Sequence, residues 1–96
     1  MNTEELISYF ENQYNKKINQ FNDIEWYKIS KFKYLTEEFI EKYKNKVDWF
    51  LISYYQKLSE NFIDKYKDKV YWHCISSYQK LSGEFIEKYQ NKVDWY

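Results

Sequence analysis

The side chains able to do chemistry are few. His73 is the only histidine and Cys74 the only cysteine, and as neighbours on a helix they would point about 100° apart. A structural zinc needs four such ligands, so this pair does not build a metal centre. Nucleophilic catalysis fares no better, because a serine or cysteine needs a base that a third group orients, and His73 has no second histidine to share that work. Carboxylates recur at helical spacing, as in Glu37 and Glu41. Beside so many lysines they read as a solvated face rather than an acid and base pair. Gly83 is the only glycine, which excludes a glycine-rich phosphate loop. The chain reads as a non-enzyme with no catalytic residue, no metal ligand set and no cofactor site.

Binding chemistry is better represented. Lysines recur in step at Lys42, Lys65 and Lys88 and again at Lys46, Lys69 and Lys92, with tyrosines beside them. Such ladders could track phosphates and stack bases. Against this, Glu41, Asp64 and Glu87 recur in the same order, and arginine, the preferred reader of base edges, is absent. Lysines and acids balance at fifteen each, so no global field draws the chain to nucleic acid or an anionic membrane. The ladder also fits a solvated face held by pairs at i, i+3 and i, i+4.

The elements that position these groups come from an internal repeat of about 23 residues, a period typical of stacked helical units. Tryptophans mark it at Trp26, Trp49, Trp72 and Trp95. The expected layout is a single domain over 1–96: an N-terminal cap at 1–23, a half repeat at 24–34, full repeats at 35–57 and 58–80, and a truncated repeat at 81–96. Each unit reads as two short helices. Ser59 is a good N-cap, and Leu58 with Ile63 has the spacing of a hydrophobic staple. Phe62, Ile63 and Tyr66 share the apolar face of this first helix, which should run to about Lys69. The second helix is expected to start one residue before each tryptophan, where Asp48 or Asp94 can cap it, and less firmly where Tyr71 stands instead. The N-terminal segment keeps one apolar face through Phe10, Tyr14, Ile18 and Phe21, so one longer helix over 3–22 is expected to cover the end of the stack. The fold class is therefore all-α, a short α-solenoid of helix-turn-helix repeats with a longer N-terminal capping helix. With no alanine and 24% aromatic residues, ring packing rather than helix propensity must hold it together.

Comparing the copies separates two kinds of position. Trp49, Ile52, Ser53 and Gln56 lie on one stripe and recur unchanged as Trp72, Ile75, Ser76 and Gln79. The positions about 160° away on the wheel differ: Tyr27, Lys28 and Lys31 become Phe50, Leu51 and Tyr54, then His73, Cys74 and Ser77. Positions that must fit the neighbouring copy stay the same, and those released from that duty drift. Cys74 reads as a small half-buried hydrophobe. The rest of this face is the candidate partner-binding surface: Tyr27, Lys31, Phe50, Leu51, Tyr54, His73 and Ser77. Aromatic side chains exposed together mark an interface.

The repeat itself resembles a known pattern. Val47-Asp48-Trp49, then Ile52-Ser53, Leu58-Ser59 and Phe62-Ile63 resemble the short repeats found in proteins of giant DNA viruses, phages and some bacteria, with Glu25 and Tyr71 departing from the aspartate of the motif. The resemblance covers residues 24–96. It implies a helical scaffold that binds protein, with no catalytic residue to transfer, and a phage or viral inhibitor of a host protein such as a defence nuclease. Two functional readings stand side by side: a protein-binding repeat module, and a nucleic-acid-binding repeat using the lysine and tyrosine ladders.

Location and assembly complete the expectations. The lone cysteine fits a reducing compartment. Glu4 and Glu5 stand where a signal peptide would carry lysines, and the longest fully apolar run, residues 49–52, is far short of the ~20 residues of a membrane span. A cytoplasmic protein is expected, in the host cytoplasm if viral, with no membrane partner. The last unit stops soon after its second helix should begin, so the end around Phe85, Tyr89, Trp95 and Tyr96 is expected to meet another copy in a two-fold homodimer or to fold back as an irregular cap. A segment of a longer array is the alternative.

Overall fold

The computed structural model describes residues 1–92. Among them the fold is all-α, with helices α1 (Thr3–Tyr14), α2 (Asp23–Ser30), α3 (Glu37–Lys42), α4 (Trp49–Tyr55), α5 (Glu60–Lys65), α6 (Trp72–Tyr78) and α7 (Gly83–Lys88), and a single 3-10 turn, Ile18–Gln20. None of these is long and apolar enough to cross a membrane.

Caps place the helix starts. Thr36, Ser59 and Ser82 each accept the amide three residues on, at 3.1 to 3.2 Å, and so open α3, α5 and α7. Asp48 does the same for α4, accepting from the Leu51 amide, whereas Tyr71 opens α6 with no side-chain cap. Two further starts come from capping boxes. Asn2 with Glu5, and Asn22 with Glu25, exchange side-chain and backbone bonds of 2.8 to 3.0 Å. The second box starts α2 at Asp23, three residues ahead of the tryptophan where α4 and α6 begin.

Helix ends depart from expectation in two places. The N-terminal helix does not run over 3–22. It stops at Tyr14, because Asn15 takes a left-handed conformation at φ 53° and closes the last turn onto Glu11. The apolar face continues by another route. A Glu11 carboxylate oxygen receives the Ile18 amide at 2.8 Å, and Phe21 meets Tyr14 with ring centroids 5.4 Å apart. Nor does α5 reach Lys69; it stops at Lys65. The chain then tightens, with the amides of Lys69 and Val70 both bonded to the Tyr66 carbonyl, which drops Val70 into the core.

Packing repeats with the sequence. α2 lies on α4 and α4 on α6, while α1 lies on α3. Trp26 meets Phe39 and Tyr43, Trp49 meets Phe62 and Tyr66, and Trp72 meets Phe85 and Tyr89, all with centroids 4.8 to 6.4 Å apart. Phe39, Phe62, Phe85, Ile52 and Ile75 are buried, as their repeat positions require. The tryptophans are not equivalent, however. Trp26 is buried, packed against Phe21 from the N-terminal segment. Trp49 and Trp72 are half-buried and donate their indole N–H to the carbonyls of Lys44 and Lys67 at the rim. Trp95 lies outside the described residues, as do Asp94 and Tyr96. Phe85 and Tyr89, at the end expected to meet another copy or fold back, are buried, with Trp72 laid against both rings. The array of helices measures 45 × 22 × 18 Å.

Candidate interaction surface

The stripe that recurs unchanged is buried and polar in part, and it links the units. Ser30 donates to the Trp26 carbonyl at 2.8 Å and accepts the Asp48 amide at 2.9 Å. One unit on, Ser53 accepts the Tyr71 amide at 3.0 Å. Gln56 donates its side-chain amide to the carbonyls of Ser30 and Phe32, and Gln79 donates to the Gln56 carbonyl while accepting the Leu58 amide. These are structural contacts. They fix the spacing of α2, α4 and α6 and so the surface those helices display.

The other helices join by charge. Glu37 accepts from the Ser59 amide and hydroxyl, and Glu60 accepts from those of Ser82. Glu41 receives both the Lys65 ammonium and the Tyr66 hydroxyl. Asp64 receives Tyr89 and, at 2.9 Å, Lys88. The Lys65 ammonium and the Tyr66 hydroxyl hold the Glu41 carboxyl below its usual range. Tyr89, followed by Lys88, does the same for Asp64. The lysine and tyrosine ladder of the sequence is thus real at Lys65 and Lys88, but its cations already face carboxylates.

The candidate face itself lies on α2, α4 and α6. Tyr27, Lys31, Phe50, Tyr54, His73 and Ser77 are exposed on it, Phe50 at 46% and Tyr54 at 40%. Leu51 is the exception, at only 7%. Leu51 is about 100° from Ile52 on the wheel, but α4 has α2 on one side and α6 on the other, and a helix with neighbours on two sides buries a wider arc than one stripe. Cys74, its counterpart on α6, is likewise buried rather than half-buried, and burial pushes its thiol pKa up.

The exposed rings touch one another. Phe50 lies over Tyr54 at 6.2 Å and edge-on to Tyr71 at 5.4 Å. Tyr54 in turn meets Tyr55 at 4.7 Å and Tyr78 at 4.6 Å. At the far side the Lys31 ammonium sits 5.3 Å from the Tyr27 ring centre and 5.9 Å from that of Tyr55. Sequence reasoning missed Tyr55, Tyr71 and Tyr78, all exposed. Tyr71 could have been found, since an aromatic stands there where the other complete unit has the capping Asp48. Hydrogen bonding with Tyr54 raises the phenol pKa of Tyr78 above its ordinary value. Among the described residues no group of three or more histidines, cysteines or acids is placed to hold a metal ion.

Comparison with protein-family models, with curated proteins and with solved structures returned no match.

Proposed function

We propose that the chain is a non-enzymatic protein-binding module, a short stack of helix-turn-helix repeats that presents the α2–α4–α6 face to a partner protein. The observation that carries this reading is the ring network of Phe50, Tyr54, Tyr55, Tyr71 and Tyr78, exposed yet ordered by mutual contact. Tyrosine combines a large apolar body with a polar tip, which suits a surface that is wet alone and dry in a complex. Rings already packed on each other lose little side-chain entropy when a partner covers them. The scaffold beneath is rigidly specified, because each unit hydrogen-bonds to the next through Ser30, Gln56 and Gln79.

The nucleic-acid reading gains less support. Its ladder lysines Lys65 and Lys88 are paired with Glu41 and Asp64, so phosphates would have to displace those carboxylates. The motif resemblance to viral and phage repeats extends the first reading to an inhibitor of a host protein, acting in the host cytoplasm.

The test is retention from nuclease-treated extract of the native host. Wild-type protein should hold a specific protein that the Phe50→Ser/Tyr54→Ser double variant loses, while a Lys42→Ser variant on α3 keeps it. Equal retention by wild type and the double variant would refute the assignment of this face.

A further inference from the structure

The chemistry of the partner follows from how charge divides between the two rows of helices; this step rests on the docking reading above. Residues 26–35, 49–58 and 72–81 carry α4, α6 and most of α2. They contain five lysines and His73 but no aspartate or glutamate. Since lysines and acids each total fifteen, the remainder of the chain holds ten lysines against fifteen acids. The α2–α4–α6 row thus sets five lysines against Asp23 and Glu25 in the first turn of α2 and the cap Asp48, a net positive balance on the side that bears the exposed rings.

All five of these lysines, Lys28, Lys31, Lys33, Lys57 and Lys80, are exposed. None of them forms an ion pair among the described residues, in contrast to Lys65 and Lys88 on the opposite row. Lys31 is the most organised. Its ammonium is held between the Tyr27 and Tyr55 rings, which orders the chain while leaving the N–H donors unpaired by any carboxylate. Of the acids at the edge of this face, Asp48 caps α4 and Glu25 closes the α2 capping box and pairs with Lys16, its charge also felt by Lys28.

We infer that this face takes an acidic segment of a partner protein, with apolar side chains on the Phe50–Tyr54–Tyr78 rings and a carboxylate on Lys31. Single-stranded nucleic acid would also seek cations and rings, but it needs open ring faces on which bases can stack. Here Phe50 and Tyr54 already stack on each other at 27°, and the other rings meet edge-on or tilted, at 86° for Phe50 with Tyr71 and 54° for Tyr54 with Tyr78. The rings touch one another rather than standing apart as separate platforms for successive bases. What they offer outward is a preformed apolar patch fringed by lysines, the complement of an acidic, apolar peptide.

Three labelled probes test this by fluorescence anisotropy: a peptide alternating glutamate with leucine, one alternating lysine with leucine, and a thymidine oligonucleotide. The glutamate peptide should bind, and more weakly as salt rises. Lys31→Glu should lower its affinity about ten-fold, and Lys57→Glu should lower it in the same direction. Lys42→Glu on α3 should leave it unchanged. The lysines are exposed, so circular dichroism should show each variant folded. The inference is overturned if the glutamate peptide does not bind, if the lysine peptide binds equally well, if Lys31→Glu has no effect, or if the oligonucleotide binds more tightly. Failure here is separable from failure of the docking reading. Should the extract partner be lost on Phe50→Ser/Tyr54→Ser yet kept on Lys31→Glu, the face stands and its acidic partner falls.

Discussion

Replacing Gln56 by methionine isolates the polar seam between units. The two side chains have similar volume, so the core loses no packing, but the amide donors go. Gln56 is buried, and its side-chain N–H groups reach the Ser30 carbonyl at 3.2 Å and the Phe32 carbonyl at 2.6 Å. Both carbonyls lie at the end of α2, where no following helical turn can serve them. Leaving a buried acceptor unsatisfied costs about 1–3 kcal/mol. The Phe32 carbonyl is only partly buried and can turn to water, so the two together should cost ~2–4 kcal/mol. For a domain of this size each kcal/mol lowers the melting temperature by roughly 4–8 °C. Urea unfolding followed by tryptophan fluorescence and by circular dichroism measures the loss directly. Lys57→Met, one residue on and exposed, should stay within about 0.5 kcal/mol of wild type. If Gln56→Met also stays within that margin with an unchanged urea slope, the repeated glutamine is not what joins the units.

Two further outcomes follow from the same geometry. At Gly83, the first residue of α7, an added Cβ would meet nothing within 4 Å, so Gly83→Ala should stabilise the protein by roughly 0.5–1 kcal/mol through helix propensity and a less flexible unfolded chain; a lower urea midpoint would contradict that open space. The carboxylates of Glu41, Asp64 and Glu25 are held below their ordinary range, chiefly by Lys65, Tyr89 and Lys16 respectively. Their contribution is complete above the unfolded-state carboxylate pKa and is lost as pH falls through the depressed folded values. The urea midpoint should accordingly fall on acidification, and Glu41→Gln/Asp64→Asn should flatten that limb; an acid limb unaltered by the double substitution would show that these links contribute nothing.

Much of the scaffold was legible because its determinants are local or periodic. Serine, threonine and aspartate before each apolar run named the starts of α3, α4, α5 and α7, and identity between copies marked Ile52, Ser53 and Gln56 as buried. The misses have physical causes. A helical spacing of apolar residues from Phe10 to Phe21 says which side chains share a face, but not that one unbroken helix carries them; Asn15, which tolerates the left-handed region, ends the helix while the face continues. The Asn2–Glu5 and Asn22–Glu25 boxes were readable as an asparagine with glutamate three residues on, yet the repeat alignment drew attention to the aspartate position instead. Tyr78 enters the aromatic patch through its contact with Tyr54 on the preceding helix, which no single-helix wheel can display, and Tyr55 joins through Tyr54 beside it and the Lys31 ammonium of α2.

Leu51 shows why drift between copies is an ambiguous signal. Its counterparts are Lys28 and Cys74, and the three differ as widely as any position on the face. Lys28 is exposed on α2, the first helix of its row, whereas Leu51 and Cys74 are buried on helices that each follow another. No helix of the α2–α4–α6 row precedes α2, so a charge is tolerated at that position, whereas the helices that follow another require an apolar group there. Phe50 and Tyr54 vary for the opposite reason. They are exposed in the middle unit, where packing would accept a polar residue, and their counterparts are Tyr27 and Lys31 before and His73 and Ser77 after. The apolar patch is therefore centred on α4, with Tyr27 and Lys31 reaching it from one side and Tyr71 and Tyr78 from the other. Burial sorts the two causes of drift, and only the second places aromatic rings in water with no packing reason to be there. A scaffold built by repetition thus carries one unrepeated surface, the face proposed to meet a partner.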